Sequence, residues 1–287
     1  MKNDTNTRSY FKGRTAILTS MHKKEEAIQP LLKNTYDIDL FIPSTVDTDS
    51  FGTFSGEIER PASPEETVVL KCELGMSQFG YDLGIASEGS FGPYPLMPLI
   101  PCNEELIVLI DKKNNWLVIG RSISFETNFG AETISNEKQL IQFAKKSKFP
   151  SHGLILKQNQ FENKESIKGI TDWNSLKNAF NVFAKKKQSA WIETDMRAHL
   201  NPTRMKNIAA ATQDLIKKLN SLCTICLAPG FTVCSSEPGL PCALCGLPTA
   251  STAVYRYCCK ICNHSESVQF PHGKEVEDPM YCSFCNP

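Results

Sequence analysis

No apolar run in this 287-residue chain approaches the roughly 20 residues that a membrane-spanning helix needs, so a membrane protein is not expected. Excess charge is also missing. The 31 basic groups face 31 acidic ones, which excludes a polycation that grips nucleic acid through bulk charge, and a 41% hydrophobic content excludes bulk disorder. Residues 1–14 carry Lys and Arg beside Asp, Asn and Thr but no apolar segment, so no secretory signal is expected and the cytoplasm is the predicted compartment. Cysteine is nearly absent before residue 223, where only Cys72 and Cys102 occur. The other ten of the twelve follow, and that contrast marks a separate C-terminal module.

Four Cys-x-x-Cys pairs stand in this module: Cys223/Cys226, Cys242/Cys245, Cys259/Cys262 and Cys282/Cys285. In a reducing compartment clustered cysteines are metal ligands more often than disulfides. Four thiolates complete a closed tetrahedral zinc shell, so eight predict two zinc ions. Spacing leaves the pairing open. The second and third pairs, flanking the strand-like residues 252–257, could share one ion while the outer pairs share the other; sequential pairing, first with second and third with fourth, serves as well. Cys234 and Cys258 are left over, and His264 or His272 could replace a ligand. A closed shell has no open position for a substrate, so the predicted role is structural, the metal replacing a core that a short loop-rich segment cannot build. Arg256, Lys260 and Lys274 stand against Glu237, Glu266, Glu275, Glu277 and Asp278. That balance points away from nucleic acid and toward a protein partner.

Upstream, residues 15–20 predict a strand and residues 25–33 a helix with Ala27, Ile28, Leu31 and Leu32 at helical spacing. The turn between them, Thr19 to Lys24, then lies at the carboxyl end of a strand, where open α/β sheets bind anions. Lys23 and Lys24 would add charge there; either could equally be part of a solvated helical turn. A loop follows with Asp47, Asp49, Glu57 and Glu59, then Ser63-Pro64-Glu65-Glu66, a capping box that opens a helix and accounts for Glu66. Residues 83–86 predict a strand ending at Ser87-Glu88-Gly89. The Gly-x-Ser-x-Gly elbow of serine hydrolases is missing, since Ile85 stands where glycine is required, and Ser87 is expected to bond the turn. Glu88 facing Glu57 and Glu59 would favour a hard divalent ion such as Mg²⁺. Residues 105–111 and 116–125 form a predicted hairpin, so the sheet is mixed. Helices are expected over 135–145 and 173–186 and from Met205 to Leu222. Arg197, His199 and Arg204 cluster before the last of these, either as an anion site or as an ion-pair network with Glu193 and Asp195.

Two resemblances emerge from these motifs. The tail segments 222–231, 239–249 and 281–287, with Glu193-Thr-Asp-Met-Arg-Ala-His199 and Gly84-Ile-Ala-Ser-Glu-Gly-Ser-Phe-Gly-Pro93, resemble a family of uncharacterised, mostly bacterial proteins with no assigned function. Over the first 200 residues the order of motifs is similar to the inosine/xanthosine triphosphate pyrophosphatase superfamily. Its Thr-x-Asn-x-x-Lys phosphate turn is matched by Thr19 to Lys24 without the asparagine. Its acidic loop, helix and acid-bearing strand end are matched by Glu59, by Glu66 to Cys72 and by Glu88-Gly89. The resemblance implies that Glu59 and Glu88 hold Mg²⁺, that Thr19 and Lys23 or Lys24 bind phosphate, that Arg197 and His199, a loose counterpart of its base-reading cluster, help hold the substrate beside Arg204 of the anion site read above, and that a metal-activated water attacks the phosphate chain.

The expected architecture is therefore α/β, with a mixed, three-layer-like sheet domain over residues 1–205 holding a Mg²⁺/phosphate cleft. A connecting amphipathic helix over 206–222 and a double zinc ribbon over 223–287 follow. The expected function is Mg²⁺-dependent hydrolysis of a non-canonical purine nucleotide or similar phosphate-containing ligand, with Glu88, Glu59 and Lys24 as catalytic residues. The alternative is a non-catalytic zinc-ribbon adaptor that recognises a protein or nucleic acid.

Overall fold

A computed structural model describes residues 4–44, 63–161 and 165–287; Glu57 and Glu59, the acidic loop expected above, lie outside them. A short helix α1 (Asp4–Phe11) precedes β1 (Thr15–Thr19), whose Ala16, Ile17 and Leu18 are fully buried, as a central parallel strand covered on both faces requires. Helix α2 (Glu25–Tyr36) buries Ile28, Leu32 and Tyr36, four residues apart and so on one face. It returns the chain to β2 (Asp39–Phe41), parallel to β1. Helix α3 (Pro64–Phe79) starts at the predicted capping box, with Ser63 and Glu66 bonded reciprocally. Then β3 (Leu83–Tyr94) pairs in parallel with the other side of β1, and β4 (Met97–Asp111) and β5 (Trp116–Ser124) complete an antiparallel meander. The sheet order is β2-β1-β3-β4-β5.

A second unit follows: β6 (Ala131–Ile134), α4 (Glu137–Lys146), β7 (Leu154–Lys157), β8 (Ser166–Ile170), α5 (Trp173–Lys187) and β9 (Ala190–Thr194). Its strands pair antiparallel in the order β6-β9-β7-β8 around a core of Leu140, Phe143, Leu154, Leu176, Phe180 and Ile192. A single 3-10 turn, Ala198–Leu200, leads to α6 (Pro202–Asn220), N-capped by Asn201. The chain ends in a three-stranded antiparallel ribbon of β10 (Thr232–Pro238), β11 (Thr252–Cys258) and β12 (Ser265–Gln269).

The fold is mixed α/β in three layers around the first sheet. On one face α2 and α6 pack on Leu18, Ile85, Ile107 and Leu109; on the other α3 covers Ile17, Ala86, Leu106 and Val108. Gly120 permits the contact with α6, since a Cβ there would stand 2.3 Å from the Ala211 carbonyl oxygen. The amphipathic helix read at 206–222 is thus a core layer of the sheet. Strand β3 outruns its predicted end because β4 pairs with it as far as Tyr94, so Ser87, Glu88 and Gly89 lie within a strand and alternate between its faces. Strand β8, Ser-Ile-Lys-Gly-Ile, reads as loop in the sequence because only Ile170 of it is buried. Among the described residues, no helix is long and apolar enough to cross a membrane.

Candidate functional site

Strand β1 is flanked by β2 on one side and β3 on the other, and the chain crosses by α2 on one face and α3 on the opposite face. The carboxyl end of β1, beside the middle of β3 at Ala86, is therefore the point where the strand order reverses, the usual place for a ligand crevice in such sheets. After β1 the chain passes through Ser20 and Met21 to His22 and Lys23, two successive non-glycine residues in left-handed backbone (φ 68° and 57°). Such residues cost about 1–3 kcal/mol each and concentrate at functional sites. The turn carries Lys24 back beneath the strand ends, where it is 5% exposed and donates to Ser87 Oγ at 3.0 Å. Ser20 Oγ lies 2.9 Å from the same oxygen. Among the described residues Lys24 makes no ion pair. Burial first, and then the cations Arg204 and Lys71 against Glu105 and Glu88, holds its ammonium down at about 8.

The neighbouring cations are partnered. Arg204 of α6, fully buried, pairs with Glu105 of β4 at 2.7 Å, donates to the Met196 carbonyl and sits 5.1 Å from the centre of the Phe91 ring. Asn103 also donates to Glu105, and Asn207 donates to Asn103. Gly89 leaves room for this pair, because a Cβ there would meet both Glu105 and Arg204 within 2.6 Å. Arg197 is locked on Asp195 at 2.6 Å. Its neighbour His199 stacks obliquely on His22, ring centres 5.5 Å apart. Burial, then His199, Lys24, Arg197 and Arg204, pushes His22 down to about 4, and His199 is lowered by burial and Arg197. Burial is the larger cause of both depressions, and the nearby cations add to it.

The residues expected to act together fall on two faces of the sheet. Lys24, Arg204, Arg197 and His199 gather on the α2 and α6 side with exposed Lys23 beside His199. Glu88 takes the α3 side, where Lys71 holds it at 2.7 Å, and Thr19 faces Gly75 of α3, its hydroxyl buried and without a hydrogen bond among the described residues. Strand alternation is the reason: Ser20 and Ser87 share one face, Thr19 and Glu88 the other. Each carboxylate of the cluster, Glu88, Glu105 and Asp195, has a cationic partner. Among the described residues no group of carboxylates stands ready for a divalent ion, so the Mg²⁺ expectation gains no support. Ser20 and His22 carry no assignment in the sequence and Ser87 is expected there only to bond its turn; strict alternation from the buried Ile85 would have placed Ser87 on the α2 face.

The metal centres are elsewhere. Cys223, Cys226, Cys259 and Cys262 form one group, and Cys242, Cys245, Cys282 and Cys285 another, with all sulfurs of a group within 4.8 Å of one another. Contacts of 3.6–3.9 Å join Cys223 to Cys262, Cys226 to Cys259, Cys242 to Cys285 and Cys245 to Cys282. A tetrahedral ion with thiolates at ~2.3 Å requires sulfurs ~3.8 Å apart, so either group can hold one. Neither pairing weighed above is the one found: first joins third and second joins fourth. Antiparallel β10 and β11, with Thr232 opposite Cys258, bring the start of one beside the end of the other, so successive knuckles alternate between the two ends of the ribbon. All four knuckles share a backbone bond from the residue after the second cysteine to the first cysteine, as from Leu227 to Cys223 and from Gly246 to Cys242. Backbone N–H groups of Cys285 and Phe284 hold Cys282 down at about 7, toward the thiolate that ligation needs. The spare Cys234 and Cys258 are joined by a disulfide. His264 bonds Glu266 and Thr224, and His272 bonds Tyr255, so neither replaces a ligand.

The sequence profile of a family described as "Domain of unknown function (DUF6671)" matches residues 71–287. No curated protein matches the chain.

Proposed function

The chain belongs to the DUF6671 family, whose description assigns no activity, and from its strand-end crevice we propose that it binds a small anionic, phosphate-bearing ligand, with zinc in both cysteine groups. The observation that carries the reading is the convergence of Lys24, without a carboxylate partner, with Arg197, His199, His22 and exposed Lys23 where the strand order reverses. An anion there would offset the cationic share of the effect that lowers both histidines, burial being the larger share. A nucleotide is the ligand the motif order suggests. Hydrolysis of its phosphate chain is the finer reading, for which paired Glu88 offers no vacant metal ligand among the described residues. Zinc suits closed shells of four thiolates, leaving both metals structural.

Calorimetry of the zinc-loaded chain with inorganic phosphate and a panel of purine nucleotides tests the ligand. Binding is expected to weaken with salt and to fall at least about tenfold in Lys23→Ala/Arg197→Ala. Affinity unchanged in that variant would remove the site. Elemental analysis is expected to find two zinc ions per chain.

A second reading has its own observation. The residue before the second cysteine of each knuckle is apolar and exposed: Ile225 (68%), Leu244 (74%), Ile261 (43%) and Phe284 (71%). Four such tips on a module with more acidic than basic groups favour a protein partner over nucleic acid. Loss of co-purifying partner in Leu244→Ser/Phe284→Ser, with both metals retained, would support it.

A further inference from the structure

We infer that Ser87 is a nucleophile and Lys24 its general base, acting on the carbonyl of an ester or amide within the anionic ligand that the crevice binds. This rests on the proposed anion site and adds a reaction to it. The geometry is that of an activated hydroxyl: Lys24 Nζ at 3.0 Å and Ser20 Oγ at 2.9 Å both reach Ser87 Oγ. A lysine buried for structural reasons is normally matched by a carboxylate, yet this one is 5% exposed and meets a hydroxyl. Ser87 is itself 4% exposed, and the partly buried Ser20 and His22 beside it mark the side from which a ligand would have to reach it.

Burial lowers the proton affinity of Lys24 most; after it come the charges around the lysine, Arg204 from α6 and Glu105 from β4 on its own face, Glu88 from β3 and Lys71 from α3 across the sheet, and His22 from its own turn. With the ammonium down at about 8, roughly a tenth of the molecules carry neutral Lys24 at pH 7, a usable base. The same charge balance selects the electrophile. A phosphate dianion placed against Lys24 would hold it protonated and abolish the base, whereas a carbonyl is neutral. The reacting group is therefore a carboxylic ester or amide, and the ligand's charged end lies outward at Lys23, Arg197 and His199.

The step balances within these groups. Ser87 Oγ attacks the carbonyl carbon as its proton passes to neutral Lys24; the bond from carbon to the alcohol or amine breaks, and that leaving group takes the proton from Lys24. Water then attacks the acyl-serine, giving one proton to Lys24, which returns it to Ser87 as the acid departs. No metal, oxidant or further reactant is consumed.

The test is labelling of the full zinc-loaded chain with a fluorophosphonate, read by intact mass and peptide mapping. One adduct on Ser87 is expected, its rate rising with pH to a plateau above about 8. Lys24→Met and Lys24→Arg should slow it by about 100-fold or more. Circular dichroism establishes that the variants are folded, and the arginine keeps the charge should the methionine variant not fold. An unmodified Ser87 between about pH 6 and 10, or equal labelling in a folded Lys24 variant, overturns the inference. Phosphate binding is measured by calorimetry on the same preparation. Binding without an adduct overturns the nucleophile and spares the anion site; an adduct without binding supports the nucleophile and overturns the anion site.

Discussion

Serine in place of Cys259 should weaken the α/β domain, whereas serine in place of Cys282 should not. The two metal groups are alike in ligands and differ in what they pack against. Cys223, Ala228, Phe231 and Cys259 belong to the same buried core as Leu215 and Leu219 of α6 and Trp116 and Val118 of β5. Leu240, Cys242 and Cys282, around the other group, are buried outside that core. Losing the first ion releases Phe231 from its seat, and burial of a phenylalanine side chain contributes about 1.5–3 kcal/mol. With Ala228 added, the domain should lose about 3 kcal/mol, which for about 200 residues lowers Tm by about 6–12 °C. The second ion's loss should move Tm of this domain by no more than about 2 °C, within the range of surface changes. Thermal unfolding followed by Trp116 fluorescence, with Trp173 and Trp191 changed to Phe, reads the shared core directly. Elemental analysis should show one ion lost in each variant. Equal falls in Tm for Cys259→Ser and Cys282→Ser would refute the division into a core-coupled and a peripheral metal.

Lys24 titrates near 10.5 in the unfolded chain and near 8 in the folded one, so between these values the unfolded state binds more protons and stability rises with pH. The wild type should gain about 3 kcal/mol relative to Lys24→Met across that window, measured by urea unfolding; parallel pH curves would contradict the depressed ammonium. Glu105→Ala strands the fully buried Arg204 and should cost about 3–5 kcal/mol, while Glu105→Leu/Arg204→Met should recover most of it. A small loss in the single variant would show that water reaches the guanidinium. Ser63→Ala removes the hydroxyl that caps α3 and should cost about 1 kcal/mol in thermal unfolding, with no effect on the ribbon.

Local chemistry was legible wherever it depends on neighbours in the chain. The capping box at Ser63, the face of α2 defined by Ile28 and Leu32, the hairpin around residues 112–115 and the four metal knuckles each follow from spacing alone. The lysine turn after β1 falls at a strand end as expected, whereas Glu88, expected at a strand end, lies inside β3. Their grouping was not legible. Whether Glu88 meets Lys24 or Lys71 depends on whether the alternation of β3 continues past Ala86, and it does because β4 pairs with the strand as far as Tyr94. A one-residue change of register would move each side chain across the sheet.

The sequence supplies the chemical parts: eight thiolates in four knuckles, a mixed α/β pattern, and lysines and a serine after β1 with a second serine in β3. Only the tertiary structure decided which parts meet. Antiparallel pairing of β10 with β11 sends alternate knuckles to opposite ends of the ribbon and so joins first with third and second with fourth. The parallel pairing of β1 with β3, Thr19 beside Ala86, likewise brings Ser20 and Lys24 to Ser87 across more than sixty residues of chain. The physical reason is common to both: a strand's register with a distant partner chooses the neighbours and faces that spacing along the chain leaves open.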